Sequence, residues 1–439
     1  VKTAACAAAL ALLLGAGVAN AAPAAQPAAW VARVAGEAIP RRPAEALLAL
    51  VRRTQPATTL AELAQHLALD LQAGDAALRE VGDARLFASM RVGFAPEVEM
   101  RRQWLSTLQQ FWPDEVERAW AKAPPLAPHL PDAAAWQRLW TGGEGLRIDE
   151  QLGESERAAA ARFVLLRHRA FGAVPAGAIT LADIWPLQNV QGRRLLRGGE
   201  LDYAQAQARQ LLRERFAEQW FTRGSGWSSA ELAFVQRAVT ARLRKLAWMR
   251  WQGLDGDPHA EAAPRDALAA AVTPDEIGAY YAAHRDRFAR LERVEGWRLR
   301  CASEAECAAA SDLRARPAAV PLRWSLGDAR PAVELDAWAL DLLQAWPEGQ
   351  VSPPIRHPDG NGWERVQVRT VRRGFHPADS ETVAHVARQA IALEKLEAQW
   401  DARQREWLAA ERLQWSPDMA TPARPLEPAR AQAHHGHAH

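Results

Sequence analysis

Four histidines stand together in His434-His435-Gly436-His437-Ala438-His439. Neutral imidazole is a ligand for zinc, nickel and copper, so this run suits a divalent metal. A short flexible tail offers no hydrogen-bonded outer shell, so binding there is expected to be weak and unselective. The spacing of Cys301 and Cys307 permits a disulfide if the chain turns from a strand into a helix between them. Two structural thiols are the competing reading. No Gly-x-Ser-x-Gly elbow, P-loop or Gly-x-Gly-x-x-Gly turn occurs. Ser225, between Gly224 and Gly226, lacks the elbow spacing, and Asp255-Gly256-Asp257 lacks the later Gly and Glu of a calcium loop. His66, His168 and His284 fall in helical stretches and read as packing or surface residues.

The elements that must position these groups are mostly helical. Ala, Leu and Arg dominate the 439 residues. Lys+Arg number 54 against Asp+Glu 52, a balance that gives no reason to expect nucleic acid as a partner. Trp is common at 19. Residues 1–21 read as a signal peptide: Lys2, an apolar stretch from Ala4 to Val18, then Ala19-Asn20-Ala21 for cleavage. The apolar stretch is too short to span a bilayer, and no later run is long enough. The mature chain is therefore expected to be exported, soluble and most simply periplasmic. Cys6 precedes the apolar centre, which does not support a lipid anchor.

Val31 to Ile39 alternates like a strand with a turn at Gly36-Glu37. Thr59 with Glu62 makes a capping box before Leu60, Leu63, Leu67 and Leu71. Helical spacing follows over 97–122, 155–171, 201–221 and 228–252, with a proline-rich loop from Pro124 to Pro131. Residues 258–272 read as a linker. Thr273-Pro274-Asp275-Glu276 is a strong helix start. A long helix is expected within 375–415, with Val386, Leu393, Trp400 and Trp407 seven apart on a charged rod. Residues 416–439 read as a disordered, His-rich tail. The fold class is α+β, mostly α: a helical region over 22–257, a small α+β domain over 273–374 and a long C-terminal helix.

Three stretches of that small domain carry a resemblance. Val272 through Phe288, Ser325-Leu326-Gly327 and Pro347-Glu348-Gly349-Gln350-Val351-Ser352-Pro353-Pro354-Ile355 resemble the opening helix, the Gly-rich strand and the Gly-x-Val-Ser-x-Pro turn of the exported parvulin-type (PpiC-like) prolyl isomerases. These include the SurA-like periplasmic chaperones. Gly360 to Val368 resembles the family's last strand. The likeness covers about a hundred residues in motif, and the helical region over 22–257 resembles the family only in layout. It implies a folding factor acting on unfolded or exported polypeptides, on proline-containing segments in particular, with no cofactor required.

The departures bear on turnover. The family's first strand carries a histidine where this chain has Arg298, and its last strand carries one where this chain has Glu364. Between Cys301 and Trp324 there is room for one helix, fewer than the family has. An X-Pro bond isomerises over a barrier of about 18–20 kcal/mol, and a dry apolar cup favours the twisted amide. Leu299, Trp324, Leu326, Trp338, Ile355 and Trp363 are candidates for such a cup, and equally for the core of a small domain. Arg298 and Glu364 on neighbouring strands suit an ion pair in place of two histidines. Trp400 and Trp407 are candidate client contacts, or packing residues of the last helix. Three functions follow: a chaperone or scaffold without turnover, an isomerase with an atypical pocket, and a metal-handling accessory using the tail.

Overall fold

The computed structural model describes residues 29–88, 94–123, 133–140, 151–172, 174–255, 262–328, 334–409 and 412–419. The segment 1–21 expected to be a leader, the proline run from Pro124 to Pro131 and the histidines at 434–439 lie outside the described residues. The chain divides into two compact units. Unit 1 is drawn from Val1–Ala260 with Gln399–His439, and unit 2 from Glu261–Ala398.

Unit 1 opens with a hairpin, β1 (Trp30–Val34) and β2 (Glu37–Pro40). Ala35 at φ 49° and Gly36 at φ 89° make its turn, two positive-φ residues in succession as a tight right-twisted hairpin requires. Helices α1 (Arg41–Val51), α2 (Leu60–Glu80) and α3 (Asp83–Leu86) follow. The Thr59/Glu62 capping box is formed at the start of α2. Next come α4 (Pro96–Phe111) and α5 (Pro113–Trp120), separated at Pro113, which has no N–H to continue a helix. After α6 (Ala133–Trp140), α7 (Glu154–Arg162) stops short of the helix expected to 171. Val164–His168 forms β3 instead, paired antiparallel with β4 (Gly177–Thr180). Leu165 and Leu166 are both buried there, so cross-strand pairing and burial override the helical lead of the preceding alanines.

Then come α8 (Leu181–Ile184), α9 (Val190–Arg197), α10 (Leu201–Gly224) and α11 (Ser229–Gln252). Ser228 and Glu231 form the capping box of α11, and Gly253 at φ 87° closes it in the left-handed conformation. Helices α2 and α11 approach closely at Gly74, where a Cβ would lie 2.6 Å from Ala241 Cα. One core gathers Trp136, Leu165, Ile179, Ile184, Leu212 and Phe216; another joins the hairpin to α2 and α11.

Unit 2 begins with α12 (Ala263–Ala270), where a linker is expected from sequence. Pro at its first turn and a buried Ala269 fold that segment onto the unit. In α13 (Pro274–Ala283) Thr273 and Glu276 form the expected capping box, and Glu276 pairs with Lys395 at 2.6 Å. The sheet comprises β5 (Ala289–Cys301), β6 (Val320–Ser325), β7 (Ile355–Arg356) and β8 (Trp363–Phe375), all antiparallel in the order β6-β5-β8-β7. Short α14 (Glu304–Ala308) follows β5, and α15 (Glu334–Ala345) precedes β7. Side chains alternate across a strand, so the sheet has two apolar faces. Val294, Val366 and Val368 meet Leu340 and Leu343 of α15 on one; Leu299, Cys301, Cys307 and Leu313 cluster on the other.

The long helix α16 (Glu381–Trp407) ends well inside the 375–415 range expected for it. Leu413–Trp415 forms β9, the third strand beside β1, with Val34 opposite Leu413. Burying Leu413 and satisfying the backbone of β1 outweigh another helical turn. Residues 416–419 are likewise placed, against the expected disorder: Ser416 is buried and its N–H donates to Val31 O at 3.1 Å. The buried face of α16 runs through Val383, Ala387 and Ile391 in unit 2 and Trp400 and Trp407 in unit 1, while Val386 is exposed. The architecture is α+β and mostly α, with 16 α-helices and small antiparallel sheets among the described residues.

Candidate functional site

In unit 2 the turn 347–355 lies along β8. Gly349 N–H donates to Val368 O at 2.9 Å, and Ser352 N–H donates to Val366 O at 2.8 Å. Ser352 is fully buried, and its Oγ accepts from Val366 N–H at 3.0 Å. Arg365 ties this turn to α14. Its Nε donates to Ser352 O at 2.5 Å, and its Nη1 to the carbonyls of Cys307, Ala308 and Ala310 at 2.9–3.0 Å. A cation so placed satisfies carbonyls that a helix C-terminus leaves open. Cys301 and Cys307 are joined by a disulfide, Cα atoms 5.5 Å apart, beneath that helix.

The six residues expected to form an apolar cup do not converge. Leu299 and Trp363 belong to the disulfide face. Trp324 packs on the opposite face with Leu340 and Leu343. Leu326, past the end of β6, is exposed. Ile355 stands opposite Glu364 across the β7–β8 pair, and Trp338 of α15 meets His357 edge-on at 5.2 Å.

Arg298 and Glu364 are on adjacent strands but not opposite one another: Arg298 faces Val366, and Glu364 faces Arg300. Glu364 is 1% exposed and its Oε2 lies 3.4 Å from Nε2 of His357, itself 3% exposed. His357 Nδ1 lies 2.7 Å from Asp359 Oδ1. The Asp359 carboxyl is held down to about 2, chiefly by the Asn361 backbone N–H, with His357 and Arg300 adding to it. An imidazole thus stands between two carboxylates at this corner. It was not read from the sequence because His357 lies in a turn, seven positions before the strand residue that the family pattern singles out.

The candidate client contacts Trp400 and Trp407 are 5% and 6% exposed, a correction to their reading as presented surface. Both pack on Trp248 in unit 1, ring centroids 5.6 and 6.0 Å away. Helix spacing is the reason: they continue the buried side of α16 and pack their rings on Trp248 and on each other.

The cavities of unit 1 follow α10. Arg102, Leu105, Gln109 and Phe94 face Gln188, Tyr203, Gln207 and Gln210 across a cleft of about 370 Å³. A second, of about 340 Å³, has Phe171, Phe216 and Trp220 as its walls with Lys122 and Arg223 at its edge. A third, of about 290 Å³, is bounded by His168, Val174, Arg215 and Gln219. Such volumes suit a few residues of a peptide or a small organic ligand. One signal that could have pointed to the first cleft is the stripe Tyr203, Gln207, Gln210 and Glu214 at helical spacing; an exposed polar face has the same appearance.

Among the described residues no cluster of three or more His, Cys, Asp and Glu is placed to hold a metal, and no helix is long and apolar enough to cross a membrane. No family model and no curated protein matches the chain. Two solved structures are similar to it, both from work on PEB4 and Cj1289, structurally related SurA-like chaperones of Campylobacter jejuni. One is 13% identical, covers 44% of this chain and 90% of its own, and has a TM-score of 0.18. The other is 13% identical, covers 55% and 96%, and has a TM-score of 0.16.

Proposed function

We propose that this chain is a periplasmic folding factor of the parvulin-type lineage that acts mainly as a chaperone for unfolded exported polypeptides, held in unit 1. The parvulin-like module of unit 2 serves as a scaffold. One observation carries the reading: α10 lines open cavities with aromatic and amide side chains, whereas the strand position of the expected catalytic histidine holds a buried Glu364 engaged with His357. A buried, mutually engaged acid and base fix a turn and lower no twist barrier. The test is one preparation assayed twice, for suppression of aggregation of an unfolded exported protein and for turnover of a proline peptide in a protease-coupled assay. Suppression with isomerisation at the uncatalysed rate is expected; no suppression of any such client overturns the proposal.

A second reading, an isomerase with an atypical pocket, is favoured by the imidazole of His357 beside Glu364 and against Trp338. It requires clear turnover that is lost in His357→Asn. Metal handling rests only on His434, His435, His437 and His439; truncation after Pro428 is expected to lower metal retention, and unchanged retention removes it.

A further inference from the structure

The cleft between α4 and α10 contains polar groups whose orientations are forced. Gln188 is 2% exposed and its Nε2 donates to Ile184 O at 3.1 Å. That carbonyl can only accept, so the amide nitrogen is fixed there. Tyr203 Oη donates to Gln188 Oε1 at 2.6 Å, consistent with the same orientation. Gly192 makes room for the pair, since a Cβ there would lie 2.6 Å from Tyr203 Oη and 2.8 Å from Gln188 Oε1. The remaining N–H of Gln188 donates to Gln207 Oε1 at 3.2 Å. Gln207 therefore turns its NH₂ group to the cleft as a donor. One turn along, the constraint is the mirror of this. Gln210 Nε2 donates to Glu214 Oε1 at 3.1 Å, and Arg101 holds the other oxygen of Glu214 at 2.9 Å. A carboxylate can only accept, so Gln210 turns its Oε1 outward as an acceptor.

We infer that this cleft binds the backbone of an extended polypeptide, with Gln207 donating to a peptide carbonyl and Gln210 accepting from a peptide N–H. Residues three apart on a helix are neighbours, roughly 5–6 Å between Cβ atoms. An extended backbone presents both a donor and an acceptor along one edge, as in strand addition to a sheet. Because these contacts ignore side chains, the site is suited to many different unfolded segments. The inference rests on the chaperone reading and specifies what is recognised.

The test uses the full chain and two probes, a capped hexapeptide of alternating serine and valine and its fully N-methylated twin, which keeps every carbonyl but has no amide donor. The parent peptide is expected to bind more tightly. Gln210→Leu, at an exposed position that folding tolerates, should weaken the parent about 3- to 10-fold and leave the N-methylated peptide unchanged. Gln207→Leu should weaken both by a similar factor, because both keep the carbonyl. Loss of neither, or equal loss of both peptides in Gln210→Leu, overturns the inference. So does binding of maltohexaose at the cleft with no binding of the parent peptide. If this pattern is missing while aggregation is still suppressed, only the backbone site falls; if the unaltered protein suppresses no aggregation, the chaperone reading falls with it.

Discussion

The cleft on α10 and the corner at His357 are both built of polar side chains, yet they differ in what is left over. In the cleft two amides are anchored at one end by the protein and offered at the other: Gln188 fixes Gln207, and Glu214 fixes Gln210. At the corner both nitrogens of His357 face carboxylates inside the fold, Asp359 at 2.7 Å and Glu364 at 3.4 Å. Half-anchored groups are oriented for a ligand at little further cost, whereas engaged groups stabilise a turn. This difference, more than any motif, supports the proposal that recognition belongs to unit 1 and structure to unit 2.

The largest expected effect tests the boundary of that assignment. If Trp400 and Trp407 were client contacts, they would belong with the cleft. Their burial on Trp248 makes them core. Trp400→Ala should cost about 3–5 kcal/mol in the stability of unit 1, by lost contacts and a residual cavity. Urea denaturation followed by hydrogen exchange in α11 would read this. A change under 1 kcal/mol together with lost aggregation suppression would restore the client-contact reading.

His357→Ala addresses the corner directly. Removing the imidazole takes the shared partner away from a buried Glu364, a loss of about 3 kcal/mol in unit 2. Aggregation suppression by the molecules that remain folded should be unchanged. Near-neutral stability with altered client handling would place the corner among binding groups and erase the contrast.

Reduction of the Cys301–Cys307 disulfide should act in unit 2 alone. It closes a loop of sequence separation 6, for which chain entropy predicts about 2 kcal/mol. Denaturation with and without dithiothreitol checks this, with the peptide affinity of unit 1 as the control. A reductant that weakens peptide binding would show that the two units are energetically coupled.

Which of these features could be read in advance depended on how local they are. Thr59/Glu62 and Thr273/Glu276 are satisfied within four residues, so two helix starts were legible. A turn was legible at Gly36-Glu37; the fold sets it one residue earlier, at Ala35-Gly36, with Glu37 already in β2. Val164–His168 was not, because its strand character comes from pairing with Gly177–Thr180 rather than from its own spacing. The end of α16 was missed likewise: Leu413 pairs with Val34, at the far end of the sequence. The turn at 347–355 and Glu364 stand out in the sequence, but nothing in a strand pattern announces that a turn histidine will fold onto Glu364. In the cleft, Gln188 and Tyr203 are 15 residues apart, and only the fold reveals that one orients the other.

The smallest effect separates the two regions by chemistry. The corner includes one carboxyl, Asp359, held low in the folded chain, whereas the cleft is lined mostly by amides. Asp359 is held at about 2 in the folded chain, against an ordinary carboxyl of about 3.9 when unfolded. Glu276, also in unit 2, is held at about 2 first by Lys395 and then by Thr273. Both folded values lie below the unfolded ones, so the unfolded chain binds more protons over that range and stability rises with pH there. The contribution is complete above about pH 4.5 and is lost as pH falls toward 2. Glu276→Gln and Asp359→Asn should each flatten that acid limb in unit 2, read by hydrogen exchange at pH 5 and pH 3. Gln188 and Gln207 carry no titrating group, and burial moves Tyr203 upward, away from the acid range. Exchange at the α9 and α10 amides that frame the cleft should therefore change less between those pH values than exchange along β7 and β8. An earlier loosening of α10 would mean that the Glu214–Arg101 pair, rather than the amide relay, holds the cleft in shape.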